Sequence, residues 1–144
     1  MAYKYAFQGA EENVAKAVIT NAPISTKSSA MIAQFIKGKS VKRARAELEA
    51  VLKKTTAVPF TRYSEGAGHK TKIGPGKFPA KATEHFIKLI DSAAANAKDK
   101  GFDEDIKIIA SSAHQAARGY RYGRKRGRQR KSTHIEIVVQ EDKQ

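Results

Sequence analysis

The chain has 144 residues, 28 Lys and Arg against 14 Asp and Glu, and a formal net charge of +14. One domain of this size (~150 residues) buries ~70% of its unfolded surface, and the 40% apolar content is too high for a wholly disordered chain. The absence of Cys excludes a disulfide scaffold, Cys-based zinc and iron–sulfur sites, and thiol catalysis.

Tyr3, Tyr5 and Phe7 alternate with Lys4, Ala6 and Gln8, a period of two that predicts a short half-buried strand. Asn21, Ala22 and Pro23 then break the chain. Ser25 is placed to cap a helix running to about Lys37, with Ala30, Met31, Phe35 and Ile36 on one face, Ile32 beside them and Gly38 as its stop. Ser40 is placed to cap a second helix, in which Val41, Ala44, Leu48, Val51 and Leu52 recur at helical spacing opposite a charged face. Residues 55–78 hold two Pro and four Gly and read as a loop. Its length marks it as functional or ordered by a partner. Its charge is basic: Arg62, His69, Lys70, Lys72 and Lys77 against Glu65.

Phe78 and Pro79 open the longest predicted helix, which runs to about Lys100 and ends at Gly101. Its apolar stripe is Ala82, Phe86, Ile87, Ile90, Ala93, Ala94 and Ala97. Period two then returns twice, in Ile106, Ile108 and Ala110 and in Ile135, Ile137 and Val139. These predict the arms of a β-hairpin over 106–139. At ~3.3 Å per residue, arms of about twelve residues reach ~40 Å. The expected fold class is α+β: one small domain over 1–144, three helices packed on a three-stranded antiparallel sheet, with a long protruding β-hairpin.

The distal part of that hairpin, 118–131, carries eight positive charges and no acid: Arg118, Arg121, Arg124, Lys125, Arg126, Arg128, Arg130 and Lys131. Such density implies a polyanionic partner. Arg offers a planar fork of donors that matches phosphate oxygens, and its face stacks on bases. Tyr120 and Tyr122, interleaved with Arg121, add stacking surfaces for unpaired bases. Like charges repel, so the segment is expected to be ordered only against an anion. The glycines suit a finger threaded between RNA segments and make a poor major-groove helix. Lys37, Lys39, Lys42, Arg43, Lys70, Lys72 and Lys77 form a second tier of RNA contacts.

Other chemistry is weaker. Gly74-Pro75-Gly76-Lys77 fails as a phosphate loop, because Thr71 replaces the first glycine and Phe78 follows the lysine. His69, His85, His114 and His134 lack metal-ligand spacing, although His114 and His134 fall opposite each other on the predicted hairpin. Glu11, Glu12, Glu47, Glu49, Asp103, Glu104 and Asp105 lie on helix faces or beside turns with basic neighbours, not in an acid–base pattern. No enzyme, metal or cofactor is expected. No apolar run approaches ~18 residues and the first sixteen residues lack the core of a signal peptide, so no membrane span is expected; the hairpin lacks the aliphatic and Trp content that a role on anionic membranes wants, so no membrane partner is expected either.

Several stretches resemble one family: Ile24-Ser25, IKGKS at 36–40, the alanine-rich run 93–97, and above all THIEIVV at 133–139. They are similar to universal ribosomal protein twenty-two of the large subunit. The segment 55–78 with GPGKFPAKA resembles the archaeal and eukaryotic branch, whose eukaryotic member is called protein seventeen. The resemblance implies a cytoplasmic structural constituent of the ribosome that binds large-subunit rRNA and aids its assembly. It implies neighbouring large-subunit proteins as partners. It also implies a β-hairpin lining the polypeptide exit tunnel beside the nascent polypeptide, its tip at about Tyr122 to Arg128. Between His114 and His134 this chain is several residues shorter than that family's pattern, and its tip is more Arg-rich. The alternative reading is a free-standing basic RNA-binding or RNA-chaperone protein.

Overall fold

A computed structural model describes residues 3–9, 13–102, 105–124 and 126–141. Its order is β1 (Val14–Ala22), α1 (Thr26–Ile36), α2 (Val41–Leu52), β2 (Val58–Pro59), β3 (His69–Lys70), β4 (Gly74–Lys77), α3 (Ala80–Asp99), β5 (Ile106–Gln115) and β6 (Thr133–Glu141). The class is α+β, with three helices among the described residues and antiparallel sheets.

The main sheet has the order β1-β6-β5, so the last strand is the central one. Val14 pairs with Gln140 and Ile19 with Ile135 on one side of β6, and Ile106 pairs with Glu141 and Gln115 with Thr133 on the other. A central strand covered on both faces reads as a continuous apolar run, and Ile135, Glu136, Ile137, Val138 and Val139 are all buried. Ile135, Ile137 and Val139 join the helix-side core with Ile32, Ile36, Leu48, Phe86, Leu89 and Ile90.

The predicted N-terminal strand is corrected. Tyr3, Tyr5 and Phe7 are half-buried while Lys4, Ala6 and Gln8 are exposed, so the alternation of faces is real. The segment joins no ladder, however, and the first strand is Val14–Ala22. That strand mixes Ala and Lys among its branched residues, which blurred its period.

What residues 3–7 do instead is cover the outer face of β6. Glu136 there is 3% exposed, a buried carboxylate that requires partners. The Ala6 amide donates to both its oxygens at 3.3 Å, Ser112 Oγ donates to Oε1 at 2.5 Å, and Tyr3 bonds to it as well. Burial first, and then the nearby Glu136 charge, push the Tyr3 hydroxyl above its ordinary value.

Each edge of the main sheet is covered at one end. On the β5 side the α1–α2 turn clips on: Gly38 N–H donates to Ile108 O at 2.8 Å, and Ile108 N–H donates to Lys39 O at 2.9 Å. Gly38 takes φ +80, the left-handed conformation glycine tolerates best. On the β1 side, α3 reaches across: Asn96 Nδ2 donates to Lys16 O and Lys100 Nζ to Val14 O, each at 2.9 Å.

The helices fall where the periodicity places them. Ser40 caps α2 by accepting from the Arg43 amide at 3.4 Å. Ser25 occupies the N-cap of α1 without a side-chain bond. In α3 the buried stripe also includes Thr83 and Leu89, which the sequence pattern left out, while Ile87 is only partly buried. The segment read as a loop holds a second small sheet of order β2-β4-β3. Its strands are two, two and four residues long, too short for any period to show.

Glu136→Ala strands the Ala6 amide and two hydroxyls. We expect a loss of about 1–3 kcal/mol, read as a lower urea midpoint, with faster exchange at the Ala6 amide. An unchanged midpoint would show that the covering segment contributes nothing to stability.

Candidate nucleic-acid interface

Beyond Gln115 and Thr133 the two chains of the β5–β6 connection stay loosely paired. Ala116 N–H donates to Ser132 O at 3.1 Å, Arg130 N–H to Gly119 O at 2.8 Å, and Arg121 N–H to Arg128 O at 2.8 Å. An isolated bridge joins Tyr120 and Gln129, and Gly123 takes φ +89 near the turn. Every described residue from Ala117 to Lys131 is exposed. Tyr120 is 65% and Tyr122 87% exposed, large rings in water. The Arg130 guanidinium lies 5.9 Å from the Tyr122 ring centroid, a cation–π contact between two exposed side chains.

Among the described residues none of Arg118, Arg121, Arg124, Arg126, Arg128, Arg130 and Lys131 pairs with a carboxylate. Lys125 lies outside the described residues, as do Glu11, Glu12, Asp103 and Glu104.

The second tier of predicted contacts divides. Lys37 and Lys42 are exposed at the end of α1 and the start of α2. Lys39 and Arg43 are engaged within the protein: both bond to Glu47, Arg43 through Nε at 2.9 Å, and Lys39 Nζ also sits 3.6 Å from the Phe35 ring centroid. Burial alone would push the Glu47 carboxyl up, but its bonds to Lys39 and Arg43 outweigh that and hold it below its ordinary value. In the small sheet, Lys70 Nζ lies 5.5 Å from the Phe78 ring centroid, and Lys77 Nζ donates to Glu65 O at 2.7 Å. Lys72, at φ +72 between β3 and β4, is exposed.

The histidines of the ladder are also used internally. His114 and His134 are register partners, as the hairpin reading expected. His114 Nε2 lies 3.1 Å from Ser112 Oγ and 3.5 Å from Glu136 Oε1. His134 Nδ1 accepts from the Asn21 amide at 3.2 Å. Among the described residues no cluster of His, Asp or Glu is placed to hold a metal ion, and no helix is long and apolar enough to cross a membrane.

Where the arm leaves the sheet, a cleft of about 1240 Å³ opens between it and the starts of α1 and α3. Arg121, Tyr122, Arg130 and Lys131 line one side, and Ser25, Ser28 and Lys81 lie on the other. The sequence reading missed Lys81. The available signal was its place in the run KFPAK, just past the basic stretch 55–78.

The pattern of the family described as ribosomal protein L22p/L17e matches residues 17–140. The chain belongs to that family. It is similar to the large ribosomal subunit protein uL22 of Nanoarchaeum equitans, 40% identical over 92% of this chain and 81% of that one. It is also similar to the proteins of that name from Aeropyrum pernix, at 38% identity over 91% and 92%, and Sulfolobus acidocaldarius, at 36% over 91% and 92%. This membership makes the chain a ribosomal protein of archaeal type, structural and not enzymatic, located in the cytoplasmic ribosome.

The Glu47 network sets a testable acid dependence. A carboxyl held low in the folded state contributes stability above its ordinary value, lost as pH falls through the folded-state value. The melting temperature should therefore drop as pH falls from 6 toward 3, and Glu47→Gln should flatten that drop while lowering the midpoint at pH 6. A drop of equal size in the variant would remove Glu47 as its source.

Proposed function

We propose that the chain is a structural constituent of the large ribosomal subunit that binds its rRNA through the arm 116–132 and the exposed lysines near it. The supporting observation is that the arm's described cations are exposed, have no internal carboxylate partners, and sit at the end of a ladder rooted in the core. Phosphates crowded by RNA folding are the counterions such an array fits, and neutralising them releases the cations condensed on RNA. Arg118, Tyr120, Arg121, Tyr122, Arg124, Lys125, Arg126, Arg128, Arg130 and Lys131 make the primary contacts. Lys37, Lys42 and Lys72 support them. Lys39, Arg43, Lys70 and Lys77 contribute chiefly by shaping the surface.

In this reading residues 1–144 act as one domain, and the span 106–139 is a protruding β-hairpin that lines the exit tunnel. Its contacts bring rRNA segments together during assembly. Neighbouring large-subunit proteins meet the globular part, and the nascent polypeptide passes the tip. Family membership together with the uncompensated arm supports this placement.

The deciding experiment is sedimentation of a cell lysate on a sucrose gradient, following the chain by mass spectrometry, with half the sample washed in high salt. Near-stoichiometric travel with large subunits through the wash is expected. A chain left at the top, or released by the wash, would point to a dissociable RNA-binding protein, because a free binder making six to ten phosphate contacts loses ~10³–10⁵ in affinity between 50 and 200 mM salt.

The sparse pairing of the arm gives a second expectation. In the isolated protein, amides over 118–131 should exchange fast while α3 is protected. Strong protection of the arm without RNA would refute ordering by the partner.

A further inference from the structure

We infer that the cleft at the root of the arm is a binding site for a single RNA strand, gripping its backbone and stacking one unpaired base on Tyr122. The inference rests on the RNA-binding reading above and names which surface takes the strand. The cleft, about 1240 Å³, is bounded by Arg121, Arg130 and Lys131 from the arm and Lys81 from α3, four cations with no acid among the lining residues. Lys81 is exposed and belongs to a different element from the arm. Cations from two different elements therefore line the cleft, and a strand lying in it meets positive charge from both.

Tyr122 also lines the cleft, 87% exposed, with the Arg130 guanidinium 5.9 Å from its ring centroid. A ring that wet offers its surface to a base, and only an unpaired base presents a free face to it. The first turns of α1 and α3 carry no acidic residue, so the positive ends of both helices add to the same field. A paired duplex would present phosphates to the cations but no base to the ring.

The test uses the full chain and two RNA probes, a ten-nucleotide single strand of mixed sequence and a twelve-base-pair duplex. Three variants are compared: Tyr122→Leu, Lys81→Glu, and the arm triple Arg124→Glu/Arg126→Glu/Arg128→Glu. All five positions are exposed, and unchanged circular dichroism confirms folding. Tyr122→Leu should weaken the single strand by about fivefold to a hundredfold and the duplex far less. Lys81→Glu should weaken the single strand and reduce its salt slope by about 0.7. Ultraviolet crosslinking should place a nucleotide on Tyr122. If Tyr122→Leu and Lys81→Glu bind like the parent while the triple variant loses RNA, the strand runs elsewhere and the cleft assignment falls, with RNA binding intact. If the triple variant also binds like the parent, the arm is not an RNA surface and both readings fall.

Discussion

The arrangement depends on the insertion of β6, the last strand of the chain, between β1 and β5. Val14 must find Gln140 and Ile106 must find Glu141 before the sheet exists. Such distant pairings are entropically costly to close, and what offsets the cost is a strand in which Ile135, Ile137, Val138 and Val139 all leave water. That strand also sets the direction of everything beyond it. Because β5 and β6 pair through Gln115 and Thr133, the arm must leave the sheet at that end, beside the starts of α1 and α3. The cleft is therefore a consequence of register.

A buried carboxylate at the centre of a basic protein is the second constraint. Glu136 could be lost from the core with little harm if its partners left with it. It is retained among the Ala6 amide, Ser112, Tyr3 and His114, which ties residues 3–7 to the outer face of the sheet. The polar cluster acts as a register pin, since shifting β6 by one residue would bury Glu136 against the helices.

Charge is divided by location. In the globular part, Glu47 holds Lys39 and Arg43, and Arg45 lies within ion-pair distance of Glu49 and Asp91, which joins α2 to α3. On the arm the described cations have no such partners. The same residue types are thus deployed in two ways: as ion pairs within the globular part, and on the arm as an array without carboxylate partners among the described residues.

Composition and periodicity alone determined much of this protein. The net charge named a polyanionic partner, the 3.6-residue period located α1, α2 and α3, and the period of two located β5 and β6. These signals are local, because burial of one face repeats along a single element. IKGKS and THIEIVV carried the family resemblance for the same reason, as short runs that can be read without the fold. Tertiary structure alone decided what depends on partners far along the chain. Tyr3, Tyr5 and Phe7 have the alternation of a strand, yet β1 forms at Val14–Ala22, because hydrogen-bonding neighbours and not periodicity make a ladder. Lys39 and Arg43 look like Lys37 in sequence, but the placement of Glu47 engages them. Lys81 and Tyr122 lie 41 positions apart, and only the packing of α3 beside the β5–β6 connection brings them to one cleft.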